Sequence, residues 1–111
     1  MIRSLLRNQP VDTTEGLQIL DYMHVADVAG ALVAVLDSKA LGAVNIGTGN
    51  AVPVRSIVNR ITDKIGRPEL IAFAPPAATG TEAPLVVADT HRLAHEAHFA
   101  PRYDLERGLD L

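Results

Sequence analysis

Cysteine and tryptophan are both absent from these 111 residues, and aromatic side chains make up only 4 % of the chain. Without cysteine there is no disulfide framework and no thiolate chemistry. With so few rings, the core has to be built from Leu, Ile, Val and Ala, which pack well but thinly. No apolar run approaches the roughly 18 residues of a membrane span. The first six residues carry Arg3 and no apolar h-region, which argues against a signal peptide. A formal net charge of −3 argues against a nucleic-acid surface. What remains is a cytoplasmic globular protein as the expectation. A composition of 48 % hydrophobic and 21 % charged residues fits a folded chain rather than a disordered one. The length suits one small domain, or part of a larger one, with surface enough to bury.

Periodicity then places the elements. Ile2, Leu5 and Leu6 stand at helical spacing, Asn8 suits a left-handed stop, and Pro10 prevents continuation. Residues 12–16 form a polar turn cluster. Residues 17–25 read as one extended strand, with Leu17, Ile19, Met23 and Val25 on one face and Gln18, Leu20, Tyr22 and His24 on the other. Asp27 reads as the N-cap of the helix behind it, its carboxylate accepting from free N–H groups of the first turn. Val28, Leu32, Val35 and Leu36 give that helix an i, i+4, i+7, i+8 stripe. Ala29 and Gly30 are small enough to let it lie close to a sheet.

Residues 43–46 are a short apolar run consistent with a buried strand, and Gly47 and Gly49 free the backbone for the turn that follows. The cleanest period is that of Val54, Ile57, Val58, Ile61 and Ile65, opposite Arg55, Asn59 and Asp63. Gly66 ends this helix ahead of Pro68, and Pro53 stands at its start, where a missing donor is no loss. A strand at 70–73, a Pro/Ala/Gly/Thr loop at 74–84, and short helices capped by Asp89 and Asp104 complete the chain. Alternating strands and helices predict a small α/β fold. Leu32, Val35, Leu36, Ile57, Val58 and Ile61 are its expected core.

Three groups carry candidate chemistry. Gly47-Thr48-Gly49 follows a strand, but the next helix starts several residues later, so the spacing is not that of a dinucleotide loop and a turn is the better reading. His24 and Asp27 hold the usual proton-transfer groups, yet a helix cap accounts for Asp27 and a strand-end histidine bonded to backbone is the commoner case. His91, His95 and His98 fall at i, i+4 and i+7, and two histidines at i, i+4 have metal-ligand geometry. No glutamate completes a His-Glu-(any)-(any)-His pattern. A solvated helix face is therefore the main reading, and metal binding at His91 and His95 the weaker alternative.

Two segments bear a family resemblance. They are Leu20-Asp21-Tyr22-Met23-His24-Val25-Ala26-Asp27-Val28-Ala29 and Asn45-Ile46-Gly47-Thr48-Gly49. Together they resemble the C-terminal half of the extended short-chain dehydrogenases, the NAD(P)-dependent sugar-nucleotide epimerases and dehydratases. Those proteins read Arg-Asp-Tyr/Phe-(any)-His-Val-(any)-Asp-Val-Ala and then Asn-Ile/Val-Gly-(any)-Gly. The first ten residues resemble that family's Ile-(any)-(any)-Leu-Leu-(any)-Gly-(any)-Pro, with Asn8 at the glycine. The segment from Ala88 resembles its Ala-Asp-(any)-(any)-(any)-Ala/Leu-(any)-(any)-(any)-Leu-Gly-Trp helix, with His98 at the glycine and Phe99 at the tryptophan.

The resemblance implies that the family's dinucleotide fingerprint and its Tyr-(any three)-Lys pair lie N-terminal to this region. The chain then carries no catalytic and no cofactor-binding residue of its own, and NAD(P) belongs to a full-length relative. It implies further that residues 1–50 are the last elements of a Rossmann-like part, 51–111 part of a substrate domain, and the chain shortened at both ends. The helix at Asp27 would cover a sheet whose outermost strand is 44–46. Substrate-side positions would be His24, Asn45, Gly47, Gly49, Thr79 and Glu82. Two arginines that in such enzymes grip a diphosphate are missing: Leu20 holds the place of one, and none occurs in 78–82. That removes charge-assisted bonds worth about 1.5–3 kcal/mol each. Three readings follow: a substrate-side part dependent on a separate N-terminal half, an interaction module that kept the fold, or a small metal-binding protein. Faces left uncovered would favour self-association.

Overall fold

The computed structural model describes residues 1–75 and 85–110. Five helices, a short 3-10 turn and five short strands are present among them: α1 (Ile2–Leu6), β1 (Val11–Thr13), β2 (Ile19–Asp21), α2 (Val25–Leu36), β3 (Ala51–Pro53), α3 (Val54–Ile65), the 3-10 turn (Pro68–Leu70), β4 (Ile71–Phe73), β5 (Leu85–Val86), α4 (His91–His95) and α5 (Leu105–Asp110). The α/β class expected from the alternation is the class found. None of the described helices is long and apolar enough to cross a membrane.

The chain divides into two compact units, Met1–Ile19 with Val52–Leu85 and Leu20–Ala51 with Val86–Leu111. The units interleave along the sequence, because residues 1–19 join the later segment and residues from 86 onward rejoin the earlier one. Strands β3, β2 and β5 form a three-stranded sheet in that order.

In the first unit β1 and β4 pair in parallel, Val11 with Ile71 and Thr13 with Phe73. Asp12 and Thr13, expected in a turn, are therefore strand residues. Their polarity is tolerated because a two-stranded ribbon leaves one face in water. Helix α3 follows its period: Ile57, Val58 and Thr62 are buried and Ile61 is half-buried. Pro53 has no side chain to cap it. The loop before β2 supplies the acceptors instead: Val54 N–H donates to Gln18 O and Arg55 N–H to Gly16 O, both at 2.8 Å. Gly16 has φ +70, and a Cβ there would lie 3.0 Å from Arg55 Cβ, so this cap needs glycine. Gly66 ends the helix left-handed at φ 81, and Asn8 likewise ends α1 at φ 61, both as expected.

The second unit is built on Ala31, Leu93 and Ala97, with Met23, Ala34, Val35, Val44, Ile46 and Phe99 packed around them. Here the expectations fail in five places. The strand expected over 17–25 shrinks to β2, and Val25 already opens α2. The N-cap of α2 is His24, whose Nδ1 accepts from Ala26 N–H at 3.1 Å, while Asp27 lies inside the first turn, fully buried. The α2 stripe is also turned: Asp27 and Ala31 face inward, whereas Leu32 is 52 % and Leu36 82 % exposed. An all-apolar helix offers no polar face to set its rotation, so Asp27 sets it by finding partners. Finally, residues 43–46 pair with no strand among the described residues. A strand needs a neighbouring backbone, and the Ala43 carbonyl instead accepts from the Arg92 guanidinium at 2.7 Å. Gly30 approaches the Phe99 ring rather than a sheet, an added Cβ lying 3.2 Å from Cε2.

Candidate functional site

Asp21, the last residue of β2, organises the region that the sequence marks as its most informative. Its carboxylate accepts the Thr48 N–H (3.1 Å to each oxygen), the Thr48 hydroxyl, the Gly49 N–H (2.9 Å) and the Ala88 N–H (3.3 Å). Burial pushes its pKa up. The Thr48 hydroxyl and the Gly49, Thr48 and Ala88 amides outweigh that and hold it below the ordinary aspartate range. Gly47 is required for so tight a wrap: a Cβ there would stand 2.5 Å from Ala88 Cβ and 2.8 Å from Asp21 Oδ2. Gly49 turns at φ +79 against Thr90. The amides of Thr48 and Gly49 therefore already hold an anion, and that anion is internal. A pyrophosphate would need the same donors. The turn does not fit a dinucleotide cradle, in keeping with its spacing.

Beside Asp21 opens a cleft of about 470 Å³ lined by Leu20, Asp21, Met23, Asn45, Ile46, Gly47, Val86, Val87 and Ala88. Among the described residues Asp21 is its one charged lining residue, and its carboxylate is committed to the turn. Leu20 places an aliphatic wall where the resembling family has arginine, so the described lining residues offer no cation to a phosphate. Asn45 supplies the side-chain amide, with Nδ2 donating to Asp89 O at 3.5 Å.

Of the residues expected on the substrate side, Asn45 and Gly47 line this cleft and Gly49 belongs to the turn beneath it. Thr79 and Glu82 lie outside the described residues. His24 is a helix cap stacked on Tyr103, ring centroids 4.6 Å apart. Asp27, its imagined acid/base partner, spends Oδ2 on the N–H groups of Arg102 (3.0 Å) and Tyr103 (2.9 Å), with Arg102 Nε 3.6 Å from Oδ1. Burial raises the Asp27 pKa, but the Tyr103 and Arg102 amides and the Arg102 guanidinium bring it below the usual range. A carboxylate kept ionised by fixed donors is a structural anion rather than a proton shuttle. His91 and His95 sit on α4 with ring centroids 4.4 Å apart. His98 does not continue their face, because the helix ends at His95 and His98 adopts φ 54. Asp21 was missed as a site residue. Its only sequence signal was its place inside the Leu-Asp-Tyr word, at the end of a strand followed by a glycine-rich turn.

No family model matches the chain. The UDP-glucose 4-epimerase of Rhizobium meliloti is 31 % identical over 98 residues, 85 % of this chain but 29 % of that enzyme. Among solved structures, MoeE5 in complex with UDP-glucuronic acid and NAD is 34 % identical and superposes with a TM-score of 0.76 over 98 % of the chain and 37 % of its own length. The UDP-glucose 4-epimerase of Thermotoga maritima has the same fold at 23 % identity, with a TM-score of 0.83 over 99 % of the chain and 35 % of its own. The chain thus spans about a third of the proteins it matches. In sequence and in fold the chain matches the C-terminal part of sugar-nucleotide epimerases and dehydratases.

Proposed function

We propose that this chain is the substrate-side part of an NAD(P)-dependent sugar-nucleotide epimerase or dehydratase and performs no redox chemistry alone. The observation that carries this reading is the Asp21 cage. The Gly-Thr-Gly amides that could hold a pyrophosphate are filled from within. Neither tyrosine is followed four residues on by lysine, since Tyr22 leads to Ala26 and Tyr103 to Arg107. NAD, present in solved relatives, is then held by residues outside these 111. What the cleft would contribute is an apolar wall with one amide at Asn45, suited to an uncharged part of the ligand. Titration with NAD⁺ and NADH by calorimetry tests the reading: neither should bind saturably, and micromolar binding of either would overturn it.

A second observation bears on partners. Val25, Leu32, Val33 and Leu36 lie along the outer side of α2 with exposures of 75, 52, 57 and 82 %. A contiguous apolar face of this kind marks an interaction surface. It supports a covering polypeptide, the N-terminal half of such an enzyme in the first instance. An interaction module that pairs through the same face is the alternative. Sedimentation equilibrium separates them: a Leu36-dependent dimer favours the module, and a monomer that associates only with an added N-terminal half favours the enzyme part.

A further inference from the structure

We propose that His91 and His95 form a two-imidazole site for a borderline divalent transition ion, Zn²⁺, Ni²⁺ or Cu²⁺, on the exposed side of α4. The two residues are one helical turn apart, their ring centroids 4.4 Å from one another and their planes inclined by 37°. Both are exposed, so neither has to leave a packed environment to turn a nitrogen toward an ion. Imidazole is the ligand such ions prefer, and the i, i+4 spacing presents two of them on one face.

The neighbouring charges permit it. Arg92, between them in sequence, is drawn aside: its guanidinium donates to Ala43 O (2.7 Å), to Leu41 O (2.8 Å) and to the Glu96 carboxylate. No free guanidinium therefore stands over the pair. Asp89, whose Oδ1 accepts the His91 N–H at 3.0 Å, places negative charge at the start of the helix. Glu96 is committed to Arg92. Among the described residues, no three His, Asp or Glu side chains converge on one point, so water completes the coordination. That makes the site open and of modest affinity, and selects for ions that favour nitrogen over those that demand an oxygen cage.

The consequence is structural. Helix α4 has five residues, too few to hold together unaided. An ion bridging its first and last residues cross-links the turn that carries Leu93 into the core. Because it binds the folded arrangement, it raises stability by mass action.

Calorimetric titration of the chain with Zn²⁺ and Ni²⁺, with Mg²⁺ as control, tests this. The expected result is one saturable Zn²⁺ or Ni²⁺ per chain and none for Mg²⁺. Even outer partners of metal ligands cost about 10–100-fold when removed, so His91→Ala and His95→Ala should each weaken binding by more than ~10-fold, while His98→Ala leaves it unchanged. Both side chains are on the surface, and far-UV circular dichroism checks that the variants fold. On the unmutated chain, sub-stoichiometric Cu²⁺ should broaden the imidazole resonances of His91 and His95 before those of His24 and His98. Absence of saturable uptake, equal binding of Mg²⁺, survival of binding in both variants, or first broadening at His98 would each overturn the proposal.

Discussion

The carboxylate of Asp27, in the first turn of α2, accepts the backbone N–H of Tyr103 at 2.9 Å across 76 residues of sequence. With the adjacent Arg102 N–H at 3.0 Å, it ties the segment ahead of α5 to α2, from a position with no exposed surface. Asp27→Ala leaves two amides without their acceptor. Hydrogen bonds to a charged group are worth about 1.5–3 kcal/mol, and urea melts should show a loss of at least that size. A loss below ~0.5 kcal/mol would mean that the tie is not formed in solution. Asp27→Asn, which keeps one acceptor, should lie between.

The two caged aspartates predict how stability depends on pH. The pKa values of Asp21 and Asp27 are both lowered by the amides that surround them, against the opposing pull of burial. A group with a depressed folded pKa stabilises the protein above its unfolded value, about 3.9 for aspartate. That contribution is lost as pH falls through the folded pKa, because the unfolded chain then binds more protons. Midpoints of urea unfolding should therefore fall steadily from about pH 5 downward. Asp21→Asn and Asp27→Asn should each flatten the slope; an unchanged slope in both would remove these residues as its source.

Two glycine-to-alanine substitutions should act with opposite sign. At Gly47 the new Cβ would stand 2.5 Å from Ala88 Cβ and force the Asp21 turn apart. Overpacking of this kind costs about 1–3 kcal/mol. Gly108 lies within α5, and a Cβ there would meet His24 at an ordinary 3.5 Å. Relief of the helix penalty of glycine should add about 0.5–1 kcal/mol. Thermal melts of the two variants moving in the same direction would contradict the packing described here.

Helix faces can be checked in the same way. Ile57 is 8 % exposed, and Ile57→Ala should cost about 2–5 kcal/mol. Leu36 is 82 % exposed, so Leu36→Ala should change the stability of the monomer by less than ~0.5 kcal/mol. Ile57 and Leu36 both lie on the apolar stripes read from the sequence, which makes the contrast informative. Equal costs would restore the face expected from periodicity alone.

That contrast shows how legible the fold was. Helix α3 alternates apolar with charged positions, and its charged side had only one place to go, so its buried side could be read directly. Helix α2 is apolar nearly all round; periodicity could mark it as a helix without saying which side faces inward. The site divides similarly. The turn at Gly47 and Gly49 could be picked out because a glycine-rich stretch after an apolar run is a local signal, whereas Asn45 came only with the family resemblance. The role of Asp21 could not, since its partners lie 27, 28 and 67 residues away.

What the residues determined by themselves is whatever acts within a turn or two. That includes the stop at Asn8, the α3 period and its Gly66 terminus, and the Asp104 cap, whose Oδ1 accepts Arg107 N–H at 2.8 Å. Only the tertiary structure decided the rest: that β1 becomes a strand by meeting β4, that residues 43–46 meet no strand among the described residues, and that Asp27 points inward. Strand pairing and burial of a charge are settled by partners distant in the chain. Backbone donors and a carboxylate must be satisfied by whichever segment arrives, and no local pattern records which segment that is.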